Sequence, residues 1–193
     1  MAETLPEAFL TALARQWRKP AALLLTGAWA AAVWGSVRHT RDVDFEVRGI
    51  PARLMPAFEQ AVRAAEREAG LAAQYSTRID RWSEVSLLGY RRSAKLVKRY
   101  GQIRVLALDP MHWSIGKVGR YLDNDIADLV GVFRRVQPDP LAVARTWARA
   151  LRQSPPSSQL WNVRQQMLDF FRRHGRAVWK RPVPLDRIER MFG

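Results

Sequence analysis

The sequence predicts an α+β protein: a small mixed sheet flanked by helices up to about residue 108, followed by a helical C-terminal region over residues 109–193. Three observations predict it. Residues 42–47 alternate strictly, with Asp42, Asp44 and Glu46 on one face and Val43, Phe45 and Val47 on the other, which is the period of a strand. Residues 21–25 form a short apolar run that stops at Thr26-Gly27. Beyond Asp109-Pro110, apolar side chains recur at helical spacing through most of the remaining chain.

Taken in order, residues 6–18 read as a helix, with Phe9, Leu10, Leu13 and Trp17 on one stripe. The apolar run 21–25 leads through Gly27 into an Ala-rich helix, 28–34, that closes on Gly35. After a polar connector, 36–41, comes the alternating strand. Residues 51–69 form a helix ended by Gly70, and 73–88 hold one or two strands, including Arg78-Ile79-Asp80. Residues 93–100 read as a basic helix or turn, and 103–108 as a further strand. Asp109 is a good N-cap and Pro110 suits the first helical position. The helix they start has an apolar stripe of Ile115, Val118, Leu122, Ile126, Leu129 and Phe133, with Lys117, Arg120, Asn124 and Asp128 opposite. Residues 141–151, 159–174 and 185–192 are further helices, and Ser154-Pro155-Pro156 breaks the first from the second.

Composition narrows the function classes. At 48% hydrophobic and 26% charged, the chain is globular rather than disordered. It has no Cys, which excludes a disulfide framework, a thiolate metal site and a cysteine nucleophile. The N-terminal residues lack the basic-then-apolar order of a signal peptide. The most apolar stretch, 20–34, falls short of the roughly 20 residues of a spanning helix. A soluble, cytoplasmic protein with no membrane partner is expected. The net charge is +14, and the excess is local. Residues 89–108 hold six basic side chains and no acid, and residues 134–193 hold 13 basic side chains against four acids. Clustered positive charge of this kind suits a polyanion such as nucleic acid, although a basic solvated surface has the same composition.

Asp42-Val43-Asp44 carries the chemistry. An Asp-x-Asp on a strand sets two carboxylates on one face, about 6.6–7 Å apart. That arrangement suits divalent cations held between the protein and a triphosphate, and hard oxygen ligands select Mg²⁺ or Mn²⁺. By itself the pair is a weak signal, because a solvated or salt-bridged strand face explains most such pairs. Upstream, Gly27 turns an apolar strand into a helix whose first N–H groups are suited to phosphate.

Gly27-x-x-Ala30 and Gly35-x-x-Arg38-x-Thr40-x-Asp42-Val43-Asp44 together resemble the signature of the minimal, polymerase-beta-like nucleotidyltransferase superfamily. The resemblance is closest to the bacterial branch that includes the AbiE-type toxins. Downstream, Arg78-Ile79-Asp80 matches that family's third carboxylate strand. Leu108-Asp109-Pro110 and Lys117-x-x-Arg120-Tyr121-x-x-Asn124-Asp125-x-x-Asp128 are similar to its closing helix. The resemblance covers roughly residues 20–135. It implies transfer of a nucleoside monophosphate from an NTP to a hydroxyl. Asp42 and Asp44 would hold the metals, Asp80 would help deprotonate the acceptor, and Gly27, Ala28, Arg38, Lys117 and Arg120 would contact the nucleotide. It further implies a bacterial toxin–antitoxin or phage-defence role with an antitoxin partner; RNA, tRNA among it, is the acceptor that the charge favours.

One departure is Ala28, where the family has Gly or Ser. It leaves an N–H donor but no hydroxyl, and opens an alternative: a catalytically inactive nucleotidyltransferase fold that binds nucleic acid or acts as an antitoxin-like partner. Gly35-Ser36 offers a second register, closer to Asp42 than the family spacing. An aminoglycoside-type adenylyltransferase is a third reading, disfavoured because cationic drugs need an acidic pocket. Each candidate has a plainer role as well. Asp80 can pair with Arg78 or Arg81, Lys117 and Arg120 can form a helix-surface network with Asn124 and Asp128, and connector arginines such as Arg38 are usually solvated. Glu46 reads as a surface charge and Glu84 as a reserve third acid. His39, His112 and His174 form no metal-ligand pattern. Trp113, Trp147, Trp161 and Trp179 read first as core, with one or two free to stack on RNA.

Overall fold

The computed structural model describes residues 5–36, 42–87 and 89–193. The fold class is α+β, with one five-stranded mixed sheet and helices. Its strands are β1 (Ala21–Leu25), β2 (Asp42–Arg48), β3 (Ala72–Ser76), β4 (Lys95–Tyr100) and β5 (Ile103–Ala107). Its helices are α1 (Leu5–Gln16), α2 (Gly27–Val33), α3 (Met55–Ala69), α4 (Tyr90–Ser93), α5 (Pro110–Arg120), α6 (Asp123–Val136), α7 (Pro140–Arg152), α8 (Gln159–Trp179) and α9 (Leu185–Phe192). The described residues fall into two compact units. The first comprises 5–33, 42–79 and 94–108, and the second 34–36, 80–87, 89–93 and 109–193. Segments 34–36, 80–87 and 89–93, expected within the first region, therefore cluster with the second.

In the first unit the strand order is β3-β2-β1-β5-β4. β1 runs antiparallel to β2 and parallel to β5, β2 is parallel to β3, and β4 is antiparallel to β5. Register sets Leu23 opposite Val47 and Val105, and Leu25 opposite Phe45 and Ala107, so these side chains share one face. That face is apolar and α1 and α3 cover it. Phe9 of α1 lies 6.3 Å from Phe45, Tyr75 of β3 stacks on Phe45 at 5.4 Å, and Phe58 of α3 meets Tyr75 edge-on at 6.1 Å. α3 ends as expected at Gly70, whose φ of 64° is the left-handed cap that glycine adopts without strain. The opposite sheet face carries Asp42, Asp44, Glu46 and Arg48 of β2, Ala22 and Leu24 of β1, and Arg104 and Leu106 of β5.

Residues 95–100 form a strand, not the basic helix or turn expected. Side chains from Lys95 to Arg99 are all exposed, so no apolar alternation marks the strand in the sequence. It is a sheet edge, where basic side chains are common because they discourage pairing with other chains.

The second unit is helical and built on aromatic packing. Trp147 is fully buried and lies 6.3 Å from Phe133, 5.7 Å from Phe170 and 5.2 Å from Phe171. Its indole N–H donates to Ser114 Oγ at 2.8 Å, so the ring is buried without an orphaned donor. The N-cap at Asp109 forms as expected: its carboxylate accepts from the Met111 and His112 backbone N–H groups at 3.0 and 3.3 Å. The single helix expected after it is broken in two. Tyr121 takes a left-handed conformation (φ 55°) and ends α5, and Leu122, placed on the apolar stripe by its spacing, is 62% exposed. No helix among the described residues is long and apolar enough to cross a membrane.

Candidate active site

β2 places Asp42 and Asp44 two positions apart on the sheet face opposite α1 and α3, with Asp42 exposed and Asp44 half-buried. β1 delivers Gly27 beside them. The Thr26 N–H donates to the Asp44 carbonyl at 2.9 Å, which extends the β1–β2 pairing by one step and starts α2 immediately after it. Gly27 has φ +59°, and a Cβ built on it would overlap Asp44 Oδ2. Glycine is therefore required twice at this position, by the left-handed backbone and by the carboxylate that occupies the side-chain space. Ala28, the next residue, is buried at the first turn of α2.

The remaining predicted residues fall elsewhere. Asp80 does not lie on a strand: it sits in a 3-10 turn, Ile79–Arg81, and clusters with the second unit. In the sheet, β2 lies between β1 and β3, and register puts Gln74 of β3 opposite Asp44 and Ala72 opposite Asp42, so β3 adds no acid to this face. Glu46 is fully buried rather than a surface charge. The chain after β3 turns back over it, so that its carboxylate accepts from the Ile79 N–H at 3.3 Å and lies 3.8 Å from Arg48 Nε. Arg38, His39 and Thr40 lie outside the described residues.

Lys117 and Arg120 belong to an ion cluster of the second unit. Lys117, placed on the polar face by its spacing, is 2% exposed. Its Nζ donates to Asp125 Oδ1 at 2.8 Å and to Asp128 Oδ2 at 2.7 Å. Arg120 makes a two-pronged contact with Asp125 at 3.0 and 2.7 Å, and Ser36 Oγ donates to Asp128 at 3.0 Å. Burial opposes ionisation of Asp125, but the Arg120 and Lys117 cations outweigh it and hold the carboxyl below its ordinary range. The break at Tyr121 is what turns α6 so that its carboxylates meet Lys117.

The sequence reading gave His112 no role, yet it joins a compact group. His112 Nδ1 lies 2.5 Å from Asp109 Oδ2 and 3.0 Å from Ser93 Oγ, and Ser93 donates to Asp109 at 2.5 Å. The i,i+3 spacing of Asp109 and His112 was the available signal. Carboxylate and hydroxyl both meet the same ring nitrogen, whereas activation of a serine needs one nitrogen for each. The group ties the start of α5 to the end of α4. Among the four tryptophans weighed as core or stacking residues, Trp113, Trp147 and Trp179 are buried and Trp161 is 64% exposed.

Among the described residues, no group of three or more His, Asp or Glu is placed to hold a metal ion. Asp42 and Asp44 are a pair, and a pair fits Mg²⁺ or Mn²⁺, which takes one or two protein carboxylates and completes its shell with substrate phosphate and water.

No family model matches the sequence, and neither a curated protein nor a solved structure matches it.

Proposed function

We propose that this chain is a metal-dependent nucleotidyltransferase of the minimal, polymerase-beta-like type, transferring a nucleoside monophosphate from an NTP to a hydroxyl on RNA. The observation that carries the reading is the placement of Gly27 against Asp44: the carboxylate pair of β2 lies directly at the turn where β1 becomes α2. Asp42 and Asp44 would hold Mg²⁺ or Mn²⁺ with the triphosphate, and the Gly27-Ala28 backbone would border the phosphates. When bound, the metal would supply charge stabilisation for the transfer. The acceptor oxygen bonds to the α-phosphorus, the bond from that phosphorus to the bridging oxygen breaks, and pyrophosphate leaves. The acceptor hydroxyl loses its proton to a base, the role that the resemblance gives to Asp80. The local excess of Lys and Arg favours RNA as acceptor, tRNA included, and the resemblance favours a bacterial toxin of a toxin–antitoxin or phage-defence pair with an antitoxin as partner.

A second reading is an inactive nucleotidyltransferase fold that binds nucleic acid or acts as an antitoxin-like partner. Gln74 beside Asp44 favours it, because the neighbouring strand offers no third carboxylate.

The deciding experiment incubates the protein with Mg²⁺, each α-³²P-labelled NTP and total bacterial RNA. Label in a discrete RNA band, lost in Asp42→Ala/Asp44→Ala, supports transfer; absence of label in every lane with intact protein and RNA favours the inactive reading.

A further inference from the structure

The sheet face that carries Asp42 and Asp44 changes sign along its length. Register sets Arg48 of β2 opposite Ala22 of β1, Ala22 opposite Arg104 of β5, and Arg104 opposite Arg99 of β4. Directly paired residues point to the same side of a sheet, so the three guanidinium groups stand in one row across four strands. At about 4.8 Å between strands the row spans roughly 14 Å. Ala22 in its middle is too small to fill the row, and a groove of about 420 Å³ lies over it, lined by Arg48, Arg99, Arg104, Gln102 and Pro20.

The three arginines are exposed, and their charge is poorly compensated. Among the described residues, Arg99 and Arg104 have no carboxylate within ion-pair distance, and Arg48 reaches only the buried Glu46, at 3.8 Å. Three aligned cations over a concave floor match a chain of phosphates, each of which accepts paired N–H donors from a guanidinium. A single phosphate would engage one or two of them, whereas a row of this length fits successive phosphates of a strand. Arg48 is four residues from Asp44 along β2, about 13 Å at strand rise.

We propose that the Arg48–Arg104–Arg99 row, on the same sheet face as Asp42 and Asp44, binds the phosphodiester backbone of single-stranded RNA. That this RNA is the acceptor rests on the transferase reading; its binding to the row does not.

The test measures fluorescence anisotropy of a short fluorescein-labelled single-stranded RNA against salt concentration, for the full chain and three variants. Arg99→Glu/Arg104→Glu removes two contacts of the row. Arg53→Glu/Arg67→Glu makes the same change in net charge at exposed positions outside the row, just before and within α3. Asp42→Ala/Asp44→Ala separates binding from transfer. The row variant is expected to lose about ten-fold or more in affinity, with a salt slope smaller by about 1.4, from two phosphate contacts at about 0.7 each. The charge-matched control is expected to lose less than about three-fold. Equal losses in the row variant and the control, or no loss in the row variant, overturn the proposal. RNA binding that depends on the row in a chain without transfer activity overturns the transferase reading and leaves the row in place. Melting temperatures of all variants verify that the fold is retained.

Discussion

Asp44 Oδ2 occupies the space in which a side chain on Gly27 would begin. The carboxylate and the turn into α2 are therefore one packed unit, held also by the Thr26 N–H bond to the Asp44 carbonyl at 2.9 Å.

Gly27→Ala is expected to destabilise the first unit by about 1–3 kcal/mol through the left-handed backbone alone, with the collision against Asp44 added to it. In an Asp44→Ala background the backbone cost persists and the collision with the carboxylate is relieved. The two substitutions are then less than additive by about 0.5–3 kcal/mol in urea denaturation. Strict additivity would show that the close approach does not exist in solution.

Lys117 lies between two buried carboxylates, 2.8 Å from Asp125 and 2.7 Å from Asp128. Lys117→Met leaves uncompensated charge in the interior and is expected to cost about 3–5 kcal/mol. Arg120 is 59% exposed at its side chain, but its partner Asp125 is only 4% exposed and keeps Lys117, so Arg120→Ala is expected to cost about 1–3 kcal/mol, less than Lys117→Met. Equal losses in the two variants would contradict the burial that separates them.

The acid side of the stability profile follows from Asp125 and Asp109. Burial opposes ionisation of both, but Arg120 and Lys117 at Asp125, and the His112 and Ser93 hydrogen bonds at Asp109, hold both carboxyls below their ordinary range. A lowered carboxylate pKa stabilises the fold above its unfolded value, about 3.9, and that contribution disappears as pH falls through the folded value. The denaturation midpoint is therefore expected to fall below about pH 4. Asp125→Asn should make that fall shallower, and an unchanged slope would remove Asp125 from the explanation.

Trp147 and Trp161 test the packing of the second unit. Trp147 is fully buried among Phe133, Phe170 and Phe171, and Trp147→Ala is expected to cost about 3–5 kcal/mol. Trp161, 64% exposed, should change by no more than about 0.5 kcal/mol on replacement by Ala. A large loss at Trp161 in chemical denaturation would mean that its exposure is misassigned.

The elements that were legible in the sequence are those with one buried face. β2 announces itself because Val43, Phe45 and Val47 are buried while Asp42 is exposed and Asp44 half-buried. Gly70 and Asp109 mark helix ends through local backbone chemistry that needs no tertiary partner. β4 escaped because the side chains from Lys95 to Arg99 all face water, which erases the period-two pattern. The break at Tyr121 is not legible because the apolar spacing runs through it: Lys117 meets Asp125 and Asp128 only once α6 turns away from α5. Glu46 was misread for a related reason, since the backbone donor that satisfies it comes from Ile79. In the candidate site, the juxtaposition of Gly27 and Asp44 follows from strand pairing, whereas the position of Asp80 in a 3-10 turn depends on the chain beyond β3.

The most direct test of the central claim, that Asp42 and Asp44 hold a divalent cation with a nucleotide, needs no knowledge of the acceptor. It is a Mn²⁺ titration followed by the loss of the free-ion EPR signal, with and without NTP, on the wild-type chain and on Asp42→Asn/Asp44→Asn. The account predicts Mn²⁺ binding that tightens with NTP and is lost in the double variant while the fold is retained. Mn²⁺ binding that is identical in the two proteins, or absent from both in the presence of NTP, would contradict it.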